Sequence, residues 1–217
     1  MPIVVLDAMG VIYRHRSVVQ ECLLPFAAAR GCHMPPEQIR NAYLACTVGE
    51  YPSAAFWQML GIDGCPETLD EQLVRAQLPM PGVGGFLRRM RSRGIAVACI
   101  SNDVAEWAAA RRRLQGIEPY IAHWIVSAQV GVRKPDRAIY ERFVRDTGAK
   151  STACLFVDDR TENLDAAREL GFRTVLFFPE ASWKTAGAHR VASDFEDLEA
   201  LVNQSVAASG PDGSLIS

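Results

Sequence analysis

Lysine is nearly missing from this 217-residue chain: it occurs only at Lys134, Lys150 and Lys184, so basic character comes from arginine. A lysine set among acidic motifs therefore stands out. Histidine is scarce as well, with four residues, and the six cysteines form no Cys-x-x-Cys pair and no Cys/His cluster at zinc spacing. This excludes the common structural zinc sites. Several cysteines lie inside apolar runs, Cys99 in ACI and Cys154 in ACLFV, and read as buried free thiols. No apolar run approaches the ~20 residues of a membrane span. No secretory signal is read at the N-terminus, where Asp7 interrupts the apolar stretch. A net charge of −2 gives no basic excess for nucleic acid or acidic membranes. The expectation is a reducing, cytoplasmic setting, with neither nucleic acid nor membrane as partner.

What is present points to a packed α/β domain. Half of the chain (49%) is apolar and 22% is charged, enough to bury a substantial core. Continuous apolar runs at residues 2–6, 95–100, 153–157 and 173–177, with a shorter one at 124–126, read as strands. Helical periodicity covers 83–93, 104–114, 137–147 and 162–170, and Gly94, Gly116 and Gly171 close three of these as C-terminal caps. Buried strands alternating with helices predict a doubly wound parallel sheet of Rossmann-like type. Residues 13–78 break the alternation, with helical patterns at 18–30, 36–47, 53–60 and 67–77 and no strand. The predicted organisation is an α/β core (1–12 and 79–204), an inserted small helical cap (13–78) and a flexible tail (205–217). Pro79, Pro81 and Gly82, with residues 11–13, mark the expected hinge. Arg88, Arg89, Arg91 and Arg93, with Arg111, Arg112 and Arg113, read as solvated helix faces.

In open parallel sheets, ligands sit beyond the carboxyl ends of the strands. The first strand leads into Asp7-Ala8-Met9-Gly10, the second into Ser101-Asn102-Asp103, and the third into Asp158-Asp159-Arg160. The loop before residue 137 carries Arg133-Lys134-Pro135. Any one of these is an ordinary turn or cap residue. Their convergence on one sheet edge is not ordinary.

Their order resembles the haloacid dehalogenase (HAD) superfamily. VVLDAMGVIY is similar to its first motif, CISN to its second, VRKPD to its third and FVDDRTENLDAA to its fourth. GEYPSAAFWQML and the VDDR…N pattern resemble the branch that holds the phosphatase domain of soluble epoxide hydrolases and bacterial sugar-phosphate phosphatases. The resemblance implies that Asp7 is the nucleophile and forms an aspartyl-phosphate. It implies that Ser101 and the backbone amide of Asn102 hold a phosphoryl oxygen, and that Lys134 neutralises charge. It further implies Mg²⁺ on Asp7, on Asp159, on the backbone carbonyl of Met9 and on Asp158 as a second ligand or water anchor. An oxygen-rich, histidine-poor set suits that ion, and clustered carboxylates repel one another without a cation. The implied substrate is a small phosphorylated metabolite; oligomeric state stays open.

The chain departs from the family at Met9. Phosphatases of the superfamily carry a second aspartate there, which protonates the leaving alcohol and later activates water. A thioether does neither, and loss of general acid/base catalysis typically costs ~10²–10⁴ in rate. Tyr13, His15 and His33 are the nearby groups that could substitute; His15 lies between Arg14 and Arg16 in a stretch that also reads as exposed surface. A Schiff-base route from the cap is closed, because no lysine precedes Lys134. Three functions fit: a Mg²⁺-dependent phosphatase with altered activity, a dehalogenase acting on carbon, or a binding protein that kept the fold and lost turnover.

Overall fold

The computed structural model describes residues 2–179 and 185–207. The chain starts with β1 (Ile3–Leu6) and then enters an all-helical insertion: a π-helical turn (Val18–Leu23) running into α1 (Leu24–Ala28), then α2 (Pro36–Cys46), α3 (Ser53–Met59) and α4 (Pro66–Arg75). It returns through α5 (Val83–Ser92), β2 (Ala96–Ser101), α6 (Ala105–Gln115), β3 (His123–Val126), α7 (Ser127–Val130), α8 (Arg137–Thr147) and β4 (Cys154–Asp158). The remaining elements are α9 (Thr161–Glu169), β5 (Arg173–Phe177), β6 (Thr185–Ala186), β7 (His189–Ala192) and α10 (Phe195–Ala207).

One sheet of order β3-β2-β1-β4-β5-β7-β6 results, parallel except for the short β6. This is the doubly wound α/β fold. Alternate residues of each strand feed opposite layers. Val4, Leu6, Val97, Cys99, Leu155 and Val157 join α5, α6 and α10 on one face. Val5, Ala98, Ile100, Cys154 and Phe156 pack with α8 and α9 on the other. Both faces are covered, which is why the strands read as unbroken apolar runs.

Three local differences from the sequence reading have physical causes. The helix expected over residues 18–30 starts as a wide π turn, because Pro25 has no N–H to return to the carbonyl four residues earlier. The strand pair β6–β7 and helix α10 complete the sheet edge beyond the last strand that periodicity identified. Helix α10 also continues through Ala207, past the expected start of the tail; residues 208–217 lie outside the described residues.

The insertion is docked on the core. The chains entering and leaving it are tied together by Arg14 N–H to the Leu78 carbonyl (3.0 Å) and Met80 N–H to the Ile12 carbonyl (2.8 Å). Helix α4 packs along α6, and Trp57 of the insertion lies 5.6 Å from Trp107 of α6, ring centre to ring centre. Between them the buried Asp70 carboxylate accepts from Ser53 Oγ (2.6 Å), Trp57 Nε1 (2.7 Å) and Trp107 Nε1 (2.6 Å). Phe56 and Trp57 are thus part of one apolar core shared with the sheet.

Candidate active site

Strand order diverges on the two sides of β1, toward β2 and toward β4, and this switch point holds the candidate site. Asp7 is the first residue past β1, and its N–H donates to the Val157 carbonyl of β4 at 2.8 Å. Its side-chain Oδ1 is pinned by the Ala8 N–H (2.6 Å) and Lys134 Nζ (2.7 Å). Among the described residues nothing donates to Oδ2. Lys134 Nζ also meets Asp158 Oδ2 at 2.7 Å. The fully buried Asp158 has both oxygens engaged, by Arg160 N–H (2.9 Å) and by Asn163 Nδ2 (3.0 and 3.1 Å) besides the lysine. The Asn102 side chain clamps the Lys134 backbone, accepting from its N–H and donating to its carbonyl, both at 2.8 Å. Asn102 thereby sets where the ammonium points.

Asp159 stands beside this triad. Gly10 permits its approach: with φ at +82°, a Cβ there would lie 2.6 Å from the Asp159 carboxyl carbon. Arg16 Nε donates to Asp159 Oδ2 at 2.7 Å, Nη2 reaches the Asp159 carbonyl at 3.0 Å, and the guanidinium lies 4.8 Å over the Phe178 ring. Asp159 Oδ1 accepts nothing among the described residues. One oxygen each of Asp7, Asp158 and Asp159 fall within 4.8 Å of one another, all on buried residues.

Burial pushes the Asp7 carboxyl up to about 8; Lys134 opposes this, while Asp158 and Asp159 add to it. Burial raises Asp159 too, against the pull of Arg16. For Lys134 burial alone would lower the pKa, but Asp158 and then Asp7 outweigh it and keep the ammonium charged. With all three carboxyls ionised, one ammonium and one guanidinium would leave one negative charge uncompensated, a repulsion that adds to burial in raising Asp7. The unengaged oxygens of Asp7 and Asp159, with no cysteine or histidine in the cluster, fit a hard divalent cation such as Mg²⁺.

The cluster opens into a cavity of about 220 Å³. Asp7, Met9, Asn102, Lys134 and Asp159 line it from the core, Tyr43 and Leu44 from α2, and Arg16, Arg40, Arg133 and Arg160 ring it. Met9 is 8% exposed and presents no ionisable group to this space. Ser101 is not among the lining residues, and its buried hydroxyl has no partner among the described residues.

A family model described as haloacid dehalogenase-like hydrolase matches residues 1–171. The chain belongs to this family. Haloacetate dehalogenase H-2 of Moraxella sp. (strain B) is 26% identical over 183 residues, 77% of this chain and 81% of that protein. Phosphatase MT3486 of Mycobacterium tuberculosis (strain CDC 1551 / Oshkosh) is 30% identical over 98 residues, 44% of this chain and 45% of the relative. Drimenol cyclase drtB of Aspergillus calidoustus is 43% identical over 51 residues, so the match spans 24% of this chain and only 10% of the cyclase. Among solved structures, a HAD phosphatase from Thermococcus onnurineus superposes with TM-score 0.71 at 16% identity, covering 93% of this chain and 98% of that one. HAD family enzyme BT-2542 of Bacteroides thetaiotaomicron, solved with magnesium and inorganic phosphate, gives TM-score 0.67 at 18% identity over 84% and 97%. These neighbours share the fold.

In this HAD hydrolase the structure brings Asp7, Met9, Asn102, Lys134, Asp158 and Asp159 together, while Ser101 is buried and does not line the cavity. His15 and His33 do not line the cavity. Sequence reasoning missed Arg16, which was passed over as part of a polar stretch; its partner is 143 residues away and no local signal joins them. Arg111 corrects the reading of solvated helix faces. It is 1% exposed, ion-paired to Asp103, hydrogen-bonded to Gln77 Oε1 at 2.6 Å and 5.1 Å over the Tyr13 ring. The signal was its spacing of four from the buried Trp107. Arg113 is exposed, as expected of a solvated face, whereas Arg112 is largely covered, 4.8 Å over the Trp124 ring. No described helix is long and apolar enough to cross a membrane.

Proposed function

We propose that this hydrolase is a Mg²⁺-dependent phosphohydrolase acting on a small phosphorylated molecule, with Asp7 as nucleophile and no acid/base partner at position 9. The observation that carries this reading is the state of Asp7: one oxygen is fixed by Lys134 and the Ala8 amide, and the other is unengaged at the base of the cavity. That free oxygen attacks phosphorus, and the ester bond to the leaving oxygen breaks as the aspartyl-phosphate forms. Lys134, held by Asn102 and Asp158, keeps a positive charge against the phosphoryl oxygens. Ser101, whose hydroxyl has no partner among the described residues, is the hydroxyl assigned to a phosphoryl oxygen, which it reaches only if the wall shifts, because it does not line the cavity here. Asp7, Asp159 and the Met9 carbonyl would hold Mg²⁺, with Asp158 beside them as the anchor of Lys134 and a second carboxylate toward the ion. Bound there, the ion would neutralise phosphoryl charge. Residues 13–78 act as the cap that carries the substrate-selective wall over the core formed by 1–12 and 79–204. The phosphatase relative and the magnesium- and phosphate-bound neighbour support this reading.

A carbon-centred dehalogenase is the second reading. Two observations favour it: the breadth of the match to haloacetate dehalogenase H-2, and Arg16 already neutralising Asp159. A panel of aryl phosphates, alkyl phosphates and haloacids, run with Mg²⁺, with EDTA and with Asp7→Asn, separates the two. Mg²⁺-dependent phosphate release that Asp7→Asn abolishes supports the phosphatase. EDTA-resistant halide release supports the alternative.

A further inference from the structure

The arginines around the cavity are unequal. Arg16 is committed to Asp159. Arg40 on α2 and Arg133 in the loop before Lys134 have no carboxylate partner among the described residues, and Arg133 spends its contact on Thr47 Oγ1 at 2.7 Å. Arg160, just before α9, reaches only Glu162 at 3.7 Å, with both side chains more than half exposed. Three guanidinium groups with almost no protein anion therefore border one small cavity whose base is Asp7. Burial lowers the pKa of Arg133 against Tyr43, and the charges of Arg160 and Arg40 add to the lowering, so both stand within electrostatic reach of Arg133. Like charges gathered without counter-charge call for an anionic ligand, and guanidinium matches phosphate and carboxylate oxygens in bidentate fashion.

Met9 makes the same demand from the chemical side. Without an acid at that position, the leaving oxygen must depart as an anion. An alkoxide is about as basic as hydroxide, whose conjugate acid has a pKa of about 15.7. A phosphate monoester leaves as a much weaker base, with a second pKa of about 6. A cationic rim stabilises such a group where a proton donor is absent.

We infer that Arg40, Arg133 and Arg160 form a second anion subsite that binds the leaving half of a phosphoanhydride, so the preferred substrates are organic diphosphates cleaved between the two phosphorus atoms. The inference rests on Asp7 acting as a phosphoryl acceptor. In the step, Asp7 Oδ2 bonds to the terminal phosphorus and the bond from that phosphorus to the bridging oxygen breaks. The electron pair stays on the bridging oxygen, which becomes an oxygen of the organic monophosphate held by the arginines. Water then attacks the aspartyl-phosphate, the bond between phosphorus and the Asp7 oxygen breaks, the electron pair returns to the Asp7 carboxylate, and inorganic phosphate leaves as dihydrogen phosphate with both water-derived protons.

Two measurements test this independently. The first compares kcat/KM for an alkyl diphosphate, the matching alkyl monophosphate and p-nitrophenyl phosphate with Mg²⁺, in the parent protein and in Arg40→Ala/Arg160→Ala. The diphosphate should be preferred over the alkyl monophosphate by at least a hundredfold, and that ratio should fall at least tenfold in the double variant. The second uses Asp7→Asn protein, which cannot turn over, and measures binding of methylenediphosphonate and inorganic phosphate by calorimetry. The diphosphonate should bind at least tenfold more tightly, and Arg40→Ala/Arg160→Ala should abolish the difference; Arg133→Lys should reduce it. Equal affinity for both probes, or an unchanged selectivity ratio in the double variant, overturns the subsite. Absence of turnover on p-nitrophenyl phosphate overturns the phosphatase reading alone, and the binding comparison then decides whether the subsite exists.

Discussion

Arg16 Nε lies 2.7 Å from Asp159 Oδ2, while Asp159 Oδ1 has no partner among the described residues. The guanidinium occupies one Asp159 oxygen and leaves the other open to the proposed cation. It is 43% exposed at its side chain, so the pair is partly screened by water. If Mg²⁺ binds as proposed, Arg16 would compete with it for Asp159 without blocking the open oxygen.

Arg16→Ala should therefore raise Mg²⁺ affinity by about two- to fivefold, the scale of one partly exposed ion pair. Isothermal titration of metal-free protein checks this. Unchanged or weaker binding means that Arg16 supports the site rather than competing for it.

Met9→Asp should restore general acid/base help. Turnover of alkyl phosphate esters should rise by on the order of 10²-fold. Aryl phosphates should gain less, because their leaving groups need little protonation. The check is steady-state kinetics on both substrate types, with a pre-steady-state burst to show whether aspartyl-phosphate hydrolysis limits. Rates at background in the variant, with Mg²⁺ still bound, would move the binding or carbon-centred readings ahead.

The fold and most of the site were legible because both rest on short-range patterns. Asp7, Ser101 and Asp158 end apolar strands, and parallel strands bring their carboxyl ends to one edge. Lys134 stood out by scarcity. Arg16 and Arg111 were not legible, because what decides them is a partner supplied by tertiary packing: Asp159 for one, Asp103 and Gln77 for the other. An arginine on a helix looks the same in sequence whether it meets water or a buried carboxylate. The docking of the insertion was hidden for the same reason. Trp57 and Trp107 are fifty residues apart and meet through direct ring contact and a shared bond to Asp70, neither of which is visible in sequence.

Asp70→Ala should be strongly destabilising. It removes the acceptor of two indole N–H groups and a serine hydroxyl, all buried. A loss of about 3 kcal/mol follows from leaving such donors unpaired, or a melting temperature lower by roughly 6–12 °C in a chain of this size. Differential scanning calorimetry measures it. A shift within a degree of the parent would show that the indoles find other partners.

Thiol chemistry tests the burial pattern. Burial pushes Cys22 and Cys154 up to about 11 and Cys46 up to about 12, while Cys65 is exposed and Cys32 half-buried. A native-state thiol titration at pH 8 should count Cys65 quickly, Cys32 slowly and the others only after unfolding. Because the fold holds these thiols protonated, their contribution to stability is intact below the ordinary value of about 9 and is lost as pH rises through 11 to 12. Fast reaction of all six cysteines in the native state would contradict the packing.

The central claim is that the Asp7 carboxylate accepts a phosphoryl group. Rapid acid quench after mixing the protein with Mg²⁺ and an aryl phosphate, followed by peptide mass spectrometry, tests it most directly. The account predicts one phosphoryl group on the peptide that contains Asp7, absent with EDTA and absent in Asp7→Asn. Phosphate release with no adduct at any quench time, or the same adduct in Asp7→Asn, would contradict it.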